Sequence, residues 1–362
     1  MRFDIEDETE EKKKESNGPQ TIYLILAGVL IFAAIIFIIV YMAIKSSKPQ
    51  PTPQVPITTP TPSPTEIKKL HVFDEESNER PVAVMIDNAI GDAKHAGLLD
   101  SYLNYEIIVE GGITRIMAIY KDKEPNLIGP IRSSRHYFLD YALESDAIYV
   151  HYGWSPYAED DTSKLNVDNI NGLTDPTPFR RDTNSIAPHN VFTRMSYIRS
   201  FLETSSYNLE STDWQLFTYS TDEVDLSETN YTPNIATKIN IPYSREEVRT
   251  YNYNEANGYY LRSSNGKAQY DRKSGEQLHY KNIIIEKVEN KTIDEEGRQE
   301  LQTTGKGTGY FITDGYVLPI TWSKSARNAK TVYAYEDGTE ITLNDGNTFI
   351  QIVPTDCEVT IE

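Results

Sequence analysis

The sequence predicts an α+β protein that follows a single N-terminal transmembrane helix. Three features of its 362 residues indicate this fold class: an uncharged apolar run near the N-terminus, a Pro/Thr-rich segment after it, and a later change of pattern. Up to about residue 218, strand and helix patterns alternate, whereas from about residue 235 only strand patterns occur. The length suffices for two or three domains.

The apolar run is residues 22–44, which carry no charge. At 1.5 Å per residue, a helix of this length spans roughly 35 Å, enough to cross the hydrocarbon core of a bilayer. The run ends in bulky residues rather than the small residues of a signal-peptide cleavage site, and no cysteine follows it as a lipoprotein signal requires. We therefore predict a single-pass transmembrane helix.

Basic residues flanking the run predict its orientation. Four lysine and arginine residues precede the run, and two, Lys45 and Lys48, follow it closely. Because cytoplasmic flanks carry the excess of positive charge, residues 1–21 are predicted to be a cytoplasmic tail. The rest of the chain is then expected outside the cytoplasm, anchored in the cell membrane.

Residues 45–70 are predicted to be an extended linker. Within 48–65, seven of 18 residues are proline and five are threonine. Such a composition cannot form a core and favours polyproline II, which acts as a stiff spacer. We expect it to hold a folded domain away from the membrane surface.

Charge and cysteine content exclude several classes of protein. The formal net charge is −19, whereas nucleic-acid binding needs a basic footprint, so no nucleic-acid partner is predicted. The only cysteine, Cys357, cannot form an internal disulfide or a cysteine-rich zinc site. The sequence predicts neither a metal nor a cofactor.

Residues 71–218 are predicted to form an α/β domain. A helix is expected within 127–145, with Ser133 as its N-cap, and another over 191–203. The predicted strands are 81–87, 105–110, 113–120 and 147–153.

Residues 235–357 are predicted to form a β-rich domain, separated from the first by the acidic stretch 220–233. Recurring Asn-Gly and Asp-Gly turns support this assignment, with a strand at 281–288 and a hairpin over 331–343. The glycine-rich run 305–309 resembles a phosphate loop, but a strand pattern follows it where such a loop needs a helix. We expect a bulged β-turn there instead.

The candidate site centres on the run Gly-Pro-Ile-Arg-Ser-Ser-Arg. Arg132, Ser133 and Arg135 lie where a helix is expected to begin, and free backbone N–H groups there favour anions. Arg115 and Glu110 flank a Gly-Gly bend nearby. We predict that the three arginines converge on one anion pocket faced by the Ser133 hydroxyl. In the alternative, they form structural ion pairs with acids such as Glu110 or Asp140.

Three polar residues at element ends complete the candidate set. His151 ends a predicted strand, and His189 and Asn190 lie at a predicted loop-to-helix junction. Each histidine is more often a structural residue than a functional one. A metal held by histidines with Asp87 or Glu110 would need contacts that sequence alone does not define.

Several runs, taken in order, are similar to those of the YerB-like family of bacterial extracytoplasmic proteins. They are RPVAVMIDN, VEGGITR, IGPIRSSRHY, VHYGWSP and APHNVF, followed by GKGTGYF, ITW and IQIVP. The resemblance covers about residues 75–355 and implies two regions without an established activity. Members are commonly lipoproteins, whereas this chain has no lipoprotein cysteine, and it departs from the family pattern at 93–99. The positions that the family pattern marks are Asp87, Asn88, Glu110, Gly111, Thr114, Arg115, Gly129, Pro130, Arg132, Ser133, Arg135, His151, Gly153, Ser155, Arg181, Asp182, His189 and Asn190.

Three functions are compatible with these features. The first is a binding module that holds an anionic cell-envelope ligand on the arginines. The second is a hydrolase or transferase acting on envelope phosphoryl or glycan groups, with His151 or His189 as acid or base. The third is a scaffold that regulates wall-associated proteins.

Overall fold

The apolar run lies within α1 (Pro19–Ser46) of a computed structural model that describes residues 19–46, 68–89 and 95–362. Within this helix, Leu26–Lys45 has a mean hydropathy of 2.9, and length and composition make it able to cross a membrane. The predicted tail before residue 19, the linker between residues 47 and 67 and the loop at 90–94 lie outside the described residues.

The rest of the described chain, residues 68–89 and 95–362, belongs to one compact unit. Its helices are α2 (His136–Glu144), α3 (Pro156–Lys164) and α4 (Met195–Leu202). The strands before residue 221 are β1 (Val82–Asp87), β2 (Leu103–Ile108), β3 (Thr114–Tyr120), β4 (Ile148–His151), β5 (Asn169–Asn171), β6 (Arg180–Arg181), β7 (Val191–Phe192) and β8 (Thr218–Ser220). The later strands are β9 (Asn234–Ile235), β10 (Lys238–Pro242), β11 (Val248–Asn254), β12 (Tyr259–Ser264), β13 (Lys267–Ala268), β14 (His279–Tyr280), β15 (Asn282–Val288), β16 (Asn290–Thr292), β17 (Gln299–Leu301), β18 (Gly305–Thr313), β19 (Tyr316–Lys324), β20 (Val332–Ala334), β21 (Thr342–Asn344), β22 (Thr348–Pro354) and β23 (Thr360–Ile361).

The main sheet joins the two predicted sequence regions. Its eleven strands run in the order β20-β19-β18-β15-β22-β2-β3-β1-β4-β5, with β9 paired to β19. The regions meet at the parallel pair β2 and β22, where Leu103 faces Thr348. One apolar cluster includes side chains from both regions. The predicted bounds 71–218 and 235–357 therefore delimit two sequence regions that share one sheet.

A smaller sheet, β13-β12-β11-β10-β23 with β14, contributes a buried ionic network to the junction. Arg249 and Arg262 of this sheet bind the carboxylate of Glu106 in β2, at 2.6 and 2.7 Å. All three side chains are inaccessible to solvent. Burial alone would raise the pKa of Glu106, but the two guanidinium groups hold it at about 2. Glu106 gains both guanidinium partners only when the two regions are folded together.

The predicted strands of the first region and the strand at 281–288 are confirmed, with ends shifted by a few residues. The predicted N-cap of α2 is wrong, because Ser133 lies two residues before the actual N-cap, Arg135. The backbone N–H of Ser134 donates instead to the carbonyl of Gly153, which keeps this segment extended beside β4. The helix predicted over 191–203 is shorter, since its first two residues form β7.

Two β-region predictions are corrected. The strands flanking Asp337-Gly338 pair mainly with other elements, β20 with β19 and β21 with β8, and the local pairing is limited to a bridge between Ala334 and Glu340. The run 305–309 forms the start of β18 rather than a turn. Its glycines allow close approach: a Cβ on Gly309 would lie 2.0 Å from the carbonyl oxygen of Ile285.

Candidate functional site

The candidate site forms where β1 ends and the chain enters α2. The segment before α2 runs alongside β1 and is fixed by backbone hydrogen bonds. The N–H of Arg132 donates to the carbonyl of Met85 at 3.0 Å, and the N–H of Asp87 donates to the carbonyl of Pro130 at 2.8 Å. On its other side, the N–H of Ile131 donates to the carbonyl of Val191 at 2.7 Å. This pairing brings Arg132 next to Asp87 and to the chain preceding β7.

Asp87 is the buried acid of the site, with 1% of its surface exposed. Its Oδ2 lies 2.5 Å from Nδ1 of His189 and 3.3 Å from Nε of Arg132, and its Oδ1 accepts from the N–H of Ala89. The contact between Arg132 and Asp87 is an ion pair without hydrogen-bond geometry. The Nε atom of Arg132 is buried and has no hydrogen-bond partner among the described residues. Among the described residues, the one hydrogen bond of Arg132's side chain goes to the carbonyl of Pro188, at 3.5 Å. Its guanidinium is therefore loosely held.

Glu110 holds the other two arginines of the predicted set. Arg135 binds both of its carboxylate oxygens, through Nε to Oε1 and through Nη2 to Oε2 at 2.7 Å. Arg115 donates to the carbonyl of Ser133 at 2.7 Å and lies 3.9 Å from Glu110. Asp140, the other candidate acid, binds Arg327 instead. For Arg115 and Arg135, the structural ion pair is thus the arrangement found.

The three arginines nevertheless lie close enough to influence one another. Burial, followed by the charge of Arg135 and then that of Arg132, lowers the pKa of Arg115 to about 10, although Glu110 acts in the opposite direction. Two carboxylates, those of Asp87 and Glu110, face three guanidinium groups. Among the described residues, the cluster therefore has one more guanidinium group than it has carboxylates.

The remaining predicted residues divide between the cluster and its surroundings. His189 belongs to it through Asp87, and Nε2 of the ring has no partner among the described residues. Asn190 accepts from Arg181 through Oδ1, at 2.9 Å. The Ser133 hydroxyl lies near Gly153, 3.6 Å from where a Cβ would be, so it faces that loop.

His151 does not contribute to the cluster through any described contact. It is fully buried, with Nδ1 2.8 Å from the carbonyl oxygen of Gly153 and Nε2 3.1 Å from Oδ1 of Asn169. Burial lowers its pKa, while the contacts with Gly153 and Asn169 act in the opposite direction. These contacts make it a structural residue at the end of β4.

Sequence reasoning missed the role of Asp87 as the partner of Arg132. The sequence suggests Asp87 as a metal ligand and as a position of the family pattern, but not as a partner of Arg132, because 45 positions separate the two residues in the chain. Its position at the end of a buried strand was the available signal, since polar residues at strand ends often build sites. Among the described residues, no group of three or more metal-binding side chains occurs.

Fold and cluster define a class of protein: an α+β unit whose two sequence regions share one sheet, following an apolar N-terminal helix in the chain. The description "Protein of unknown function (DUF3048) N-terminal domain" matches residues 70–208, and its C-terminal counterpart matches 239–350. A protein of Bacillus subtilis (strain 168) described as "Putative lipoprotein YerB" is 31% identical over 282 residues, which cover 77% of this chain and 82% of that protein. The crystal structure of YerB from Bacillus subtilis matches with a TM-score of 0.70 and 28% identity, over 81% of this chain and 99% of the other. The chain belongs to the YerB family of proteins of unknown function.

Proposed function

We propose that this protein is a membrane-anchored extracytoplasmic module that binds an anionic cell-envelope ligand at Arg132 and His189. The observation that carries the proposal is the unequal number of charges in the cluster, three guanidinium groups against two carboxylates. Arg135 and Arg115 are committed to Glu110 and to backbone carbonyls. Arg132 keeps donors available, and its side chain is 19% exposed, so an incoming anion would meet it first.

Electrostatics favour a phosphate or carboxylate group as the ligand. A guanidinium group offers a planar fork of donors that matches either group. The chain as a whole carries a net charge of −19 and repels anions, so binding depends on a local excess of positive charge. Because His189 lies against the same carboxylate as Arg132, it could supply a further donor through Nε2.

Thermal unfolding in the presence of inorganic phosphate tests the proposal. A bound anion stabilises the folded state by mass action, about 2.7 kcal/mol when its concentration is a hundred times Kd. We expect phosphate to raise the Tm of the full chain in nonionic micelles and R132Q to abolish the rise. The matched control is K306Q in β18, which lies five strands from β1 in the main sheet and should respond as the wild type does. An equal rise in R132Q and wild type would contradict the proposal.

Membrane anchoring through residues 22–44 is part of the same proposal. Support comes from the length and hydropathy of α1, from the balance of flanking basic residues and from a relative described as a lipoprotein. We expect the N-terminus inside and residues 45–362 outside the cytoplasm. External protease on intact protoplasts should then remove the folded unit, whereas full protection would contradict this orientation.

A second candidate function is acid–base catalysis on an envelope phosphoryl or glycan group. The His189–Asp87 contact favours it, because a buried carboxylate at Nδ1 fixes the ring orientation, and Nε2 has no partner in the part of the chain that the structure describes. If the full chain hydrolyses bis(p-nitrophenyl) phosphate and H189Q and D87N do not, catalysis replaces simple binding. Should R132Q change neither binding nor turnover, the scaffold that regulates wall-associated proteins becomes the better account.

A further inference from the structure

Three more arginines lie on the surface near the candidate site: Arg180, Arg181 and Arg194. We call them the arginine patch. All three are exposed, and none forms an ion pair with a carboxylate among the described residues. Arg180 donates to the backbone carbonyls of Thr177 and Phe179, and Arg181 donates to Asn190 and to the Tyr152 hydroxyl. In a chain with a net charge of −19, this is a local concentration of unneutralised positive charge.

Aromatic rings hold the patch arginines in place. The guanidinium groups of Arg180 and Arg194 lie 4.8 and 4.5 Å from the centre of the same ring, that of Tyr197. Arg181 lies 5.4 Å from the centre of the Tyr152 ring. Contact with a ring uses the face of a guanidinium group and leaves its N–H edge available to an anion. It also orients the side chain without cancelling the charge.

The backbone connects the patch to Arg132. In the ribbon of β6 and β7, Arg181 pairs with Val191, whose carbonyl accepts from the N–H of Ile131. The patch backbone therefore lies two strand spacings from the segment that carries Arg132, or roughly 10 Å. Tyr152 links them again, since its N–H donates to the carbonyl of Arg132. A chain of anionic groups can contact Arg132 and the patch at the same time.

We infer that the ligand is a flexible polyanion with repeated phosphate groups, which binds Arg132 with one group and the arginine patch with others. This inference rests on the proposed function and names the class of ligand. A flat anionic lipid surface fits less well, because Arg132 is four-fifths buried while the patch is exposed. A flexible chain can enter the recess at Arg132 and continue over the surface.

Calorimetric titration of the full chain in nonionic micelles tests the inference with inorganic phosphate, tripolyphosphate and long-chain linear polyphosphate. Linked contacts raise affinity through effective concentration, so we expect polyphosphate to bind at least about tenfold more tightly than phosphate. In R180Q/R194Q this advantage should be lost, while phosphate binding stays as in the wild type. The dependence of log K on log salt should become shallower by about one unit for each lost contact.

Controls separate this inference from the proposed function. K306Q/K330Q also removes two positive charges, but next to β19 and β20 at the far end of the main sheet, and should bind as the wild type does. R194Q alone should also weaken polyphosphate binding. It keeps the test valid if loss of the backbone contacts of Arg180 disturbs folding.

Equal polyphosphate affinity in R180Q/R194Q and K306Q/K330Q would overturn the inference. Patch-dependent binding of anionic lipid vesicles that exceeds polyphosphate binding would also overturn it, in favour of a membrane surface. If R132Q retains phosphate binding while the patch variants still lose polyphosphate, the proposed function fails and the patch remains a polyanion site.

Discussion

Asp87 and Glu110 divide the arginines of the site into two kinds. Glu110 holds Arg135 through both carboxylate oxygens, in a geometry that orients the arginine firmly. Asp87 approaches Arg132 without a hydrogen bond, and the same oxygen contacts His189. The firmly held guanidinium group of Arg135 supports the fold. The loosely held group of Arg132 can exchange its contact with Asp87 for a contact with a ligand.

Substitution of each arginine should therefore give a different result. R135Q leaves the half-buried Glu110 without its two-point partner, and we expect it to lower the free energy of unfolding by about 1–3 kcal/mol. R132Q loses a contact that has no hydrogen bond, and the buried Asp87 keeps His189 and the N–H of Ala89 as partners, so the loss should be smaller than in R135Q. Urea unfolding of the two variants measures the difference. A larger loss in R132Q than in R135Q would show that the assignment of roles is wrong.

Glu286 predicts the pH dependence of stability. It is fully buried, and burial raises the pKa of its carboxyl to about 7, while Tyr141 and Tyr333 donate to it. Because the folded-state pKa lies above the unfolded value, the protonated form favours folding. This contribution is full below about pH 4.5 and is lost as the pH rises through about 7, at a cost of about 3 kcal/mol. Asp140, with its pKa raised by burial to about 6, acts in the same direction.

We expect E286Q to reduce this pH dependence, because glutamine resembles the protonated carboxyl and does not titrate. Urea unfolding of the wild type should give a free energy that decreases between pH 5 and pH 7, with a smaller decrease in E286Q. Asp140 remains, so the decrease should not vanish. An identical decrease in both proteins would show that Glu286 titrates alike in the folded and unfolded states.

At the scale of elements, glycine-containing sequence patterns predicted two hairpin turns correctly and one turn wrongly. Asn265-Gly266 and Asp314-Gly315 form the turns β12–β13 and β18–β19, with positive φ at both residues of each pair, as hairpins of this kind require. The sequence also predicts a bulged β-turn at the glycine-rich run 305–309. That assignment failed because glycine also permits close packing, and a short sequence does not distinguish these two uses.

Gly309 tests this explanation. An alanine there would place its Cβ against the Ile285 carbonyl in the neighbouring strand, where backbone cannot easily move. We expect G309A to lower the free energy of unfolding by about 3 kcal/mol or to prevent folding. G338A is the control, because its Cβ would meet open space and only the positive φ would cost about 1 kcal/mol. Similar losses in the two variants would argue against close packing at Gly309.

At the scale of the whole molecule, the shared sheet determines how the protein unfolds. The sequence indicated two regions because their patterns differ, but the pairing of β2 with β22 spans more than 240 residues and leaves no local signal. The same limit applied to the site, where Asp87 meets Arg132 and His189 only after folding. The sequence did predict strands, turns and a basic cluster. Each of these features is determined by residues that are neighbours along the chain.

Shared strands and the Glu106 network predict cooperative unfolding. Calorimetry of the unit from residue 67 to 362 should show one transition, because separation of the regions would expose the edge of β2 and break a buried ionic network. A fragment ending near residue 233 should not fold by itself. Two resolved transitions, or a folded fragment, would establish independent domains.

The central claim, that Arg132 binds an anion while Arg135 supports the fold, is tested most directly at the two side-chain Nε–H groups. NMR spectra of the 67–362 unit, with arginine labelled with ¹⁵N and signals assigned from R132Q and R135Q, follow both groups during phosphate titration. We predict a saturable shift of the Arg132 Nε–H signal and little change at Arg135, whose Nε is bound to Glu110. An unchanged Arg132 signal at saturating phosphate would contradict the claim.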